Sequence, residues 1–170
     1  GSPVAGTGSL ISFGPQSLSG TYTVRAVNSV TGCNTLMNDS TVLEPLPNVF
    51  LVSPVGNFCE GTSVLLNGSE INFNYILVLN GSINIDTIAG TGSQIDFGPQ
   101  TTAGAYSVIA YNTVSFCSET MSGITLIEAA PNSYNMTPAG IACSGEIIGL
   151  DNSESGVTYQ LRWNGTTNVG

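Results

Sequence analysis

The stretch Ala89-Gly-Thr-Gly-Ser-Gln-Ile-Asp-Phe-Gly-Pro-Gln100, followed by Gly104-Ala-Tyr-Ser-Val-Ile-Ala-Tyr-Asn112, sets the architecture because it occurs twice. The earlier copy is Ala5-Gly-Thr-Gly-Ser-Leu-Ile-Ser-Phe-Gly-Pro-Gln16, followed by Gly20-Thr-Tyr-Thr-Val-Arg-Ala-Val-Asn28. The offset that carries Ala5 to Ala89, a period of 84, runs on without a gap. Cys33 matches Cys117, Pro47 matches Pro131, Cys59 matches Cys143, and Asn80-Gly81 matches Asn164-Gly165. A fixed period of this length is too long for one coil of a solenoid and suits one small domain per repeat.

On this alignment, residues 1–46 are expected to be the C-terminal half of one repeat. Residues 47–131 are a complete repeat, and residues 132–170 the N-terminal half of a third. The window therefore starts and stops inside repeats, as expected of a stretch from a longer chain. The junctions are Pro45-Leu46-Pro47 and Ala129-Ala130-Pro131. Proline fixes φ and cannot donate to a ladder, so these short joints predict a semi-rigid rod.

Within the central repeat, short alternating segments are separated by turn residues. Candidate strands are 49–53, 63–66, 74–79, 83–88, 94–97, 105–112 and 124–128, with Asn80-Gly81 as a hairpin turn. No segment sustains a period of 3.6, so no helix is expected. The fold class is all-β. Tyr106, Val108, Ala110, Tyr75, Leu77, Leu79, Leu66 and Phe97 are the expected core. Trp163, aligned with Leu79, is expected at the equivalent core position of the third repeat.

Composition narrows the function. The chain carries net charge −9, with Arg25 and Arg162 as its only basic side chains and no histidine. Nucleic acid and anionic lipid are bound through Lys and Arg, so neither is an expected partner. Charged residues are only 8% of the chain, and Ser, Thr, Asn and Gly supply the polarity instead, as in an extracellular β protein. No apolar run is long enough to span a bilayer.

No catalytic group is apparent. There is no histidine base, no Ser/His or Cys/His pair and no lysine. The Gly6-Thr-Gly8 and Gly90-Thr-Gly92 segments have neither a following helix nor a nearby lysine, and read as turns rather than phosphate loops. The acids Glu60, Glu70, Asp86, Asp96 and Glu119 are dispersed, without Ca²⁺-loop spacing, and read as solvated surface groups. No cofactor or metal is expected, and the chain is not expected to be an enzyme. Lacking lysine, it also cannot form Lys–Asn isopeptide bonds. The sequons at Asn38, Asn67, Asn80, Asn135 and Asn164 read chiefly as turn chemistry.

Each repeat contributes two cysteines. In an extracellular chain without histidine, disulfides are favoured over metal. A Cys59–Cys117 bridge within one repeat is the leading pairing. If the second and sixth strands run the same way, however, those cysteines lie at opposite ends. A bridge between neighbouring repeats, and free thiols, therefore stay open. Strand alternation further predicts that Ile76, Val78, Ile109 and Tyr111 share the outer face of one sheet as a contact surface. The equivalent positions are Gln160 and Arg162 in the third repeat, and Arg25 and Val27 in the first.

Gly104-Ala-Tyr106-Ser-Val108 and Gly20-Thr-Tyr22-Thr-Val24 resemble the tyrosine corner of immunoglobulin-like sandwiches, which implies tandem immunoglobulin-like β-sandwich repeats. Valine replaces that fold's second cysteine at 24 and 108, so its usual inter-sheet disulfide is absent. The whole pattern, A-G-T-G-S-x-I-x-F-G-P-Q-x(3)-G-x-Y-x-V-x-A-x-N with a cysteine soon after, resembles repeats of large Bacteroidota surface adhesins. These are the SprB-type gliding-motility adhesins and related type IX secretion substrates. The resemblance implies a stalk in a secreted, outer-membrane-anchored filament. Its expected partners are neighbouring repeats, other filaments or surface glycans. Asp39-Ser40-Thr41 and Asp86-Thr87-Ile88 resemble the O-glycosylation motif of that phylum, which would place sugars on Ser40 and Thr87. Repeats that themselves bind glycan or protein, or a spacer in a secreted enzyme, are the competing readings.

Overall fold

The structure, a computed structural model, describes residues 2–169. It is all-β, with no helix among the described residues. The first segment holds β1 (Gly20–Tyr22), β2 (Arg25–Val27), β3 (Asn34–Leu36) and β4 (Thr41–Leu43). The central segment holds β5 (Val52–Ser53), β6 (Gly56–Cys59), β7 (Thr62–Leu66), β8 (Phe73–Leu79), β9 (Ile83–Ala89), β10 (Ile95–Gln100), β11 (Gly104–Asn112), β12 (Ser118–Thr120) and β13 (Thr125–Glu128). The last segment holds β14 (Met136–Thr137), β15 (Gly149–Leu150), β16 (Arg162–Trp163) and β17 (Thr167–Asn168).

In the central segment two open sheets enclose one core. One has the order β10-β7-β5, and the other β6-β13-β11-β8-β9, with β12 pairing the far end of β11. All pairs are antiparallel except β6 with β13. The chain begins in the smaller sheet, turns at Pro54, and continues as β6 on the edge of the larger one. Thr125 fastens this crossing by donating its hydroxyl to the Pro54 carbonyl at 2.6 Å. Alternation alone predicts one first strand over 49–53. The structure divides that role between β5 and β6, and adds β12. These short pieces carry too few residues to show a period.

The core follows the alternation of β8 and β11. Tyr75, Leu77 and Leu79 point inward with Tyr106, Val108 and Ala110, and meet Leu66 and Phe97 from the facing sheet. All eight expected core residues are buried, joined by Val52, Val64, Phe73, Ile95, Met121 and Ile127. The Tyr106 hydroxyl donates to the Thr102 carbonyl at 2.9 Å, tying β11 to the loop before it.

The repeated stretch over 89–100 forms the entry to this core. Gly90 packs so tightly on the backbone of Glu70 that a Cβ there would run into the Glu70 carbonyl oxygen. Beyond it, the β10–β7 register shifts between Asp96 and Pro99. Asp96 accepts from the Gly98 amide at 2.7 Å, and the Gln100 side chain donates to the Phe97 and Gly98 carbonyls, both at 3.0 Å. Glycine at 98, with φ 73°, permits this bulge.

The sequence period reappears in local geometry. Pairs Gly20↔Leu43, Tyr22↔Thr41 and Arg25↔Leu36 match Gly104↔Ile127, Tyr106↔Thr125 and Ile109↔Thr120. Tyr22 donates to Leu18 as Tyr106 does to Thr102, and Gln16 caps Phe13 and Gly14 as Gln100 caps Phe97 and Gly98. Met136↔Leu150 in the last segment matches Val52↔Leu66.

Burial does not repeat. Phe97 is 8% exposed but Phe13 is 50% exposed, because nothing equivalent to β7 and β8 covers the first segment. Trp163, expected in a core, is 63% exposed, because nothing equivalent to β10 and β11 covers the last segment.

Candidate functional site

The outer face of the larger sheet is built by the residues that alternate with the core. Ile76 lies directly opposite Ile109, Val78 opposite Ser107, and Tyr111 opposite Asn74. The structure thus brings the four expected contact residues onto one face, but it corrects their exposure. Val78 is only 2% exposed, while Ile76, Ile109 and Tyr111 are half-buried. β9 and β12 flank them, setting Thr87 beside Ile76, Asn84 beside Val78, and Thr120 beside Ile109. The Asn74 side-chain amide donates to the Tyr111 hydroxyl at 3.0 Å, so the rim of the patch is polar and internally satisfied. An open four-residue apolar patch is therefore not present.

The cysteines are also rearranged relative to the leading expectation. No disulfide joins any two of the four; Cys33, Cys59 and Cys143 are exposed and Cys117 is half-buried. Cys59 ends β6 opposite Glu128, one residue beyond the row that Phe58 and Ile127 form with Gly104 at the start of β11. Cys117 lies at the other end, where its carbonyl accepts from the Asn112 amide at 2.9 Å. The length of β11 between them is roughly 26 Å, at about 3.3 Å per residue. A disulfide needs Cα atoms about 4.4–6.8 Å apart, so the Cys59–Cys117 bridge within one unit is excluded by strand direction.

Local motifs do not reveal the device that anchors the chain where it enters each unit. Glu70 accepts from the Asn48 amide at 2.8 Å and from its side-chain amide at 2.6 Å. Glu154 receives the same two donors of Asn132. The signal was available, since Asn48 and Glu70 recur one period on as Asn132 and Glu154, but an Asn–Glu pair so far apart in sequence has no motif. The Tyr75 hydroxyl completes the corner by accepting from the Glu70 amide at 2.8 Å. Burial raises the Tyr75 pKa above the usual tyrosine range, and the Glu70 charge adds to the effect.

The asparagines of three sequons are committed to structure. Asn67 accepts from the Leu51 amide, Asn80 from the Ala105 amide, and Asn135 donates to Asp151. Asn80 and Asn164 both take positive φ, as the turn reading requires. Ser40 and Thr87 are exposed. Thr87 lies within β9, whereas Ser40 follows Asp39 in a bend, so the two candidate O-glycosylation sites differ in backbone shape.

Two hollows lie in the last segment. One, of about 480 Å³, is lined by Met136, Ile148, Leu150, Tyr159 and Leu161. Their counterparts one period earlier are Val52, Val64, Leu66, Tyr75 and Leu77, all fully buried in the central core. The hollow is half of a core, not a ligand pocket. Among the described residues no group of acids and cysteines is gathered to hold a metal. No family model matches the chain, and no curated protein shows significant similarity to it.

Proposed function

We propose that this chain is a run of immunoglobulin-like repeats that form the stalk of a large secreted surface adhesin, of the kind Bacteroidota export by type IX secretion for attachment or gliding. The observation that carries this reading is the recurrence, at the sequence period, of the same strand registers and side-chain caps on either side of short proline joints. The immunoglobulin-like assignment draws support from a first strand that changes sheets, from β6 lying parallel to β13, and from the Tyr106 hydroxyl bond to Thr102. Such a unit has no chemistry to perform. Its work is to hold length under load, with neighbouring repeats as its main partners and the cell surface as its location. The antiparallel ladders and the capped bulge of the central unit suit that work, because each unit must yield separately before the rod lengthens.

Single-molecule pulling of the full chain under reducing conditions tests the proposal. One discrete unfolding event is expected from the central unit, releasing roughly 25 nm, from about 3.5 Å per extended residue less the folded length of one unit, while the half-repeats on either side extend without a step. Extension of the central unit without a discrete step, or turnover of a substrate by the purified chain, would remove it.

A further inference from the structure

The two proline joints of the chain differ in a way that strand alternation does not explain. Leu18, Leu46, Val49 and Ile71 lie around the first joint, Pro45-Leu46-Pro47. Their counterparts one period on, around the second joint, are Thr102, Ala130, Ser133 and Ser155. Four large apolar side chains at one joint are thus small or polar at the other. All four are exposed in the structure, Leu18 at 77% and Ile71 at 67%. This exposure does not come from an unfinished core. Val49 and Ile71 belong to the complete central unit, and Thr102, the counterpart of Leu18 in that unit, is exposed as well.

These residues stand on the two lips of the first joint. On the exit lip, Gly20 pairs with Leu43, just before Glu44-Pro45. The Tyr22 hydroxyl donates to the Leu18 carbonyl at 2.7 Å, which holds Leu18 at that end of the first segment. On the entrance lip, Pro47 is buried and Glu70 accepts from Asn48, so Val49 and Ile71 flank a fixed point. Thr113 donates its amide and its hydroxyl to the Asn72 carbonyl, at 3.2 and 3.0 Å, which brings the turn carrying the exposed Phe116 to the same lip. The joint between the lips, Pro45–Pro47, extends at most about 10 Å.

We propose that the first joint closes, with Leu18 and Leu46 packing on Val49, Ile71 and Phe116, while the second joint stays open. The partner of the apolar entrance lip is then the preceding repeat of the same chain, residues 2–46. Residues on both lips change character together from one joint to the other, as a contact across the joint requires and a partner touching one lip alone does not. The short joint keeps the lips at high effective concentration, so closing loses little translational freedom. Closing also withdraws apolar side chains from water. The inference rests on the tandem-repeat reading above. It gives the stalk joints of unequal stiffness, the first set by packing and the second left to Ala129-Ala130-Pro131 alone.

The test is methyl NMR of the full chain. Cross-peaks from the Leu18 methyls to those of Val49 and Ile71 are expected, with relative intensities unchanged on dilution. Ile71→Ser, which installs the residue of the second joint, should also abolish the Leu18–Val49 cross-peak while the folds of the first segment and the central unit persist. Absence of the Leu18 cross-peaks, with the Gly20–Leu43 pairing intact, would overturn the closed joint and leave the repeats standing. Survival of the Leu18–Val49 cross-peak in the variant would overturn it too. So would cross-peaks that fade on dilution, which would assign the apolar lip to a second copy of the chain. Loss of the Gly20–Leu43 pairing itself would remove the repeat reading along with the joint.

Discussion

Gly90 and Tyr75 show how single residues fix the central unit. At Gly90 any side chain would run into the Glu70 carbonyl, and Glu70 is also the anchor of Asn48. Gly90→Ala should therefore destabilise the unit by about 3 kcal/mol or more, because backbone rather than a flexible side chain must move. Gly6, its counterpart, has nothing within reach of a Cβ, so Gly6→Ala should cost little in this chain. Urea unfolding of the two variants checks the contrast. Tyr75 governs the alkaline limit. Its pKa is raised in the folded state, so between the ordinary tyrosine pKa and the higher folded value the unfolded chain binds fewer protons. Stability should fall as pH rises through that window and be unaffected by this group below it. Tyr75→Phe should flatten that slope in melting curves above the ordinary tyrosine pKa, while losing about 1 kcal/mol for the bond from the Glu70 amide.

Among the elements, β8 and β11 form one long ladder whose two faces have different fates. Leu77 faces the core and is fully buried, whereas its neighbour Ile76 is half-buried opposite Ile109. Leu77→Ala should cost about 2–5 kcal/mol, and Ile76→Thr with Ile109→Thr about half as much or less, with the register preserved. Denaturant titration gives the energies, and amide exchange along β11 reports the register. The alternation of these strands was legible in the sequence because it is local, with each residue's face set by its neighbour's. The fate of Val78 was not. Its position on the outer face follows from alternation, but its burial depends on which strands flank β8, and that is a matter of long-range pairing. The short strands β6 and β12 escaped for a related reason, since their hydrogen bonds come from partners that no local pattern points to.

Across the whole molecule, the first and last segments carry complementary parts of one repeat. Residues 2–46 correspond to 86–130, and residues 132–169 to 48–85. Joining 132–169 directly to 2–46 should therefore give a cooperatively folding unit in which Trp163, Phe13, Ile11 and Leu161 become buried. A blue-shifted Trp163 emission with a single sharp melting transition is the expected outcome, and a gradual melt with a solvent-exposed tryptophan would count against equivalence of the repeats. The order of residues was enough to establish the period, the absence of helix, the faces of the long strands and eight residues of the core, since all of these are carried by spacing along the chain. It also showed that two cysteines recur in each repeat. It took the folded chain to establish that Cys59 and Cys117 stand at opposite ends, that Val78 is covered, and that Glu70 anchors the incoming chain. Those outcomes depend on the direction in which strands far apart in sequence run beside one another, and on the crossing of the first strand from one sheet to the other. Spacing along a chain does not contain that information, whereas the hydrogen bonds around a packed core do.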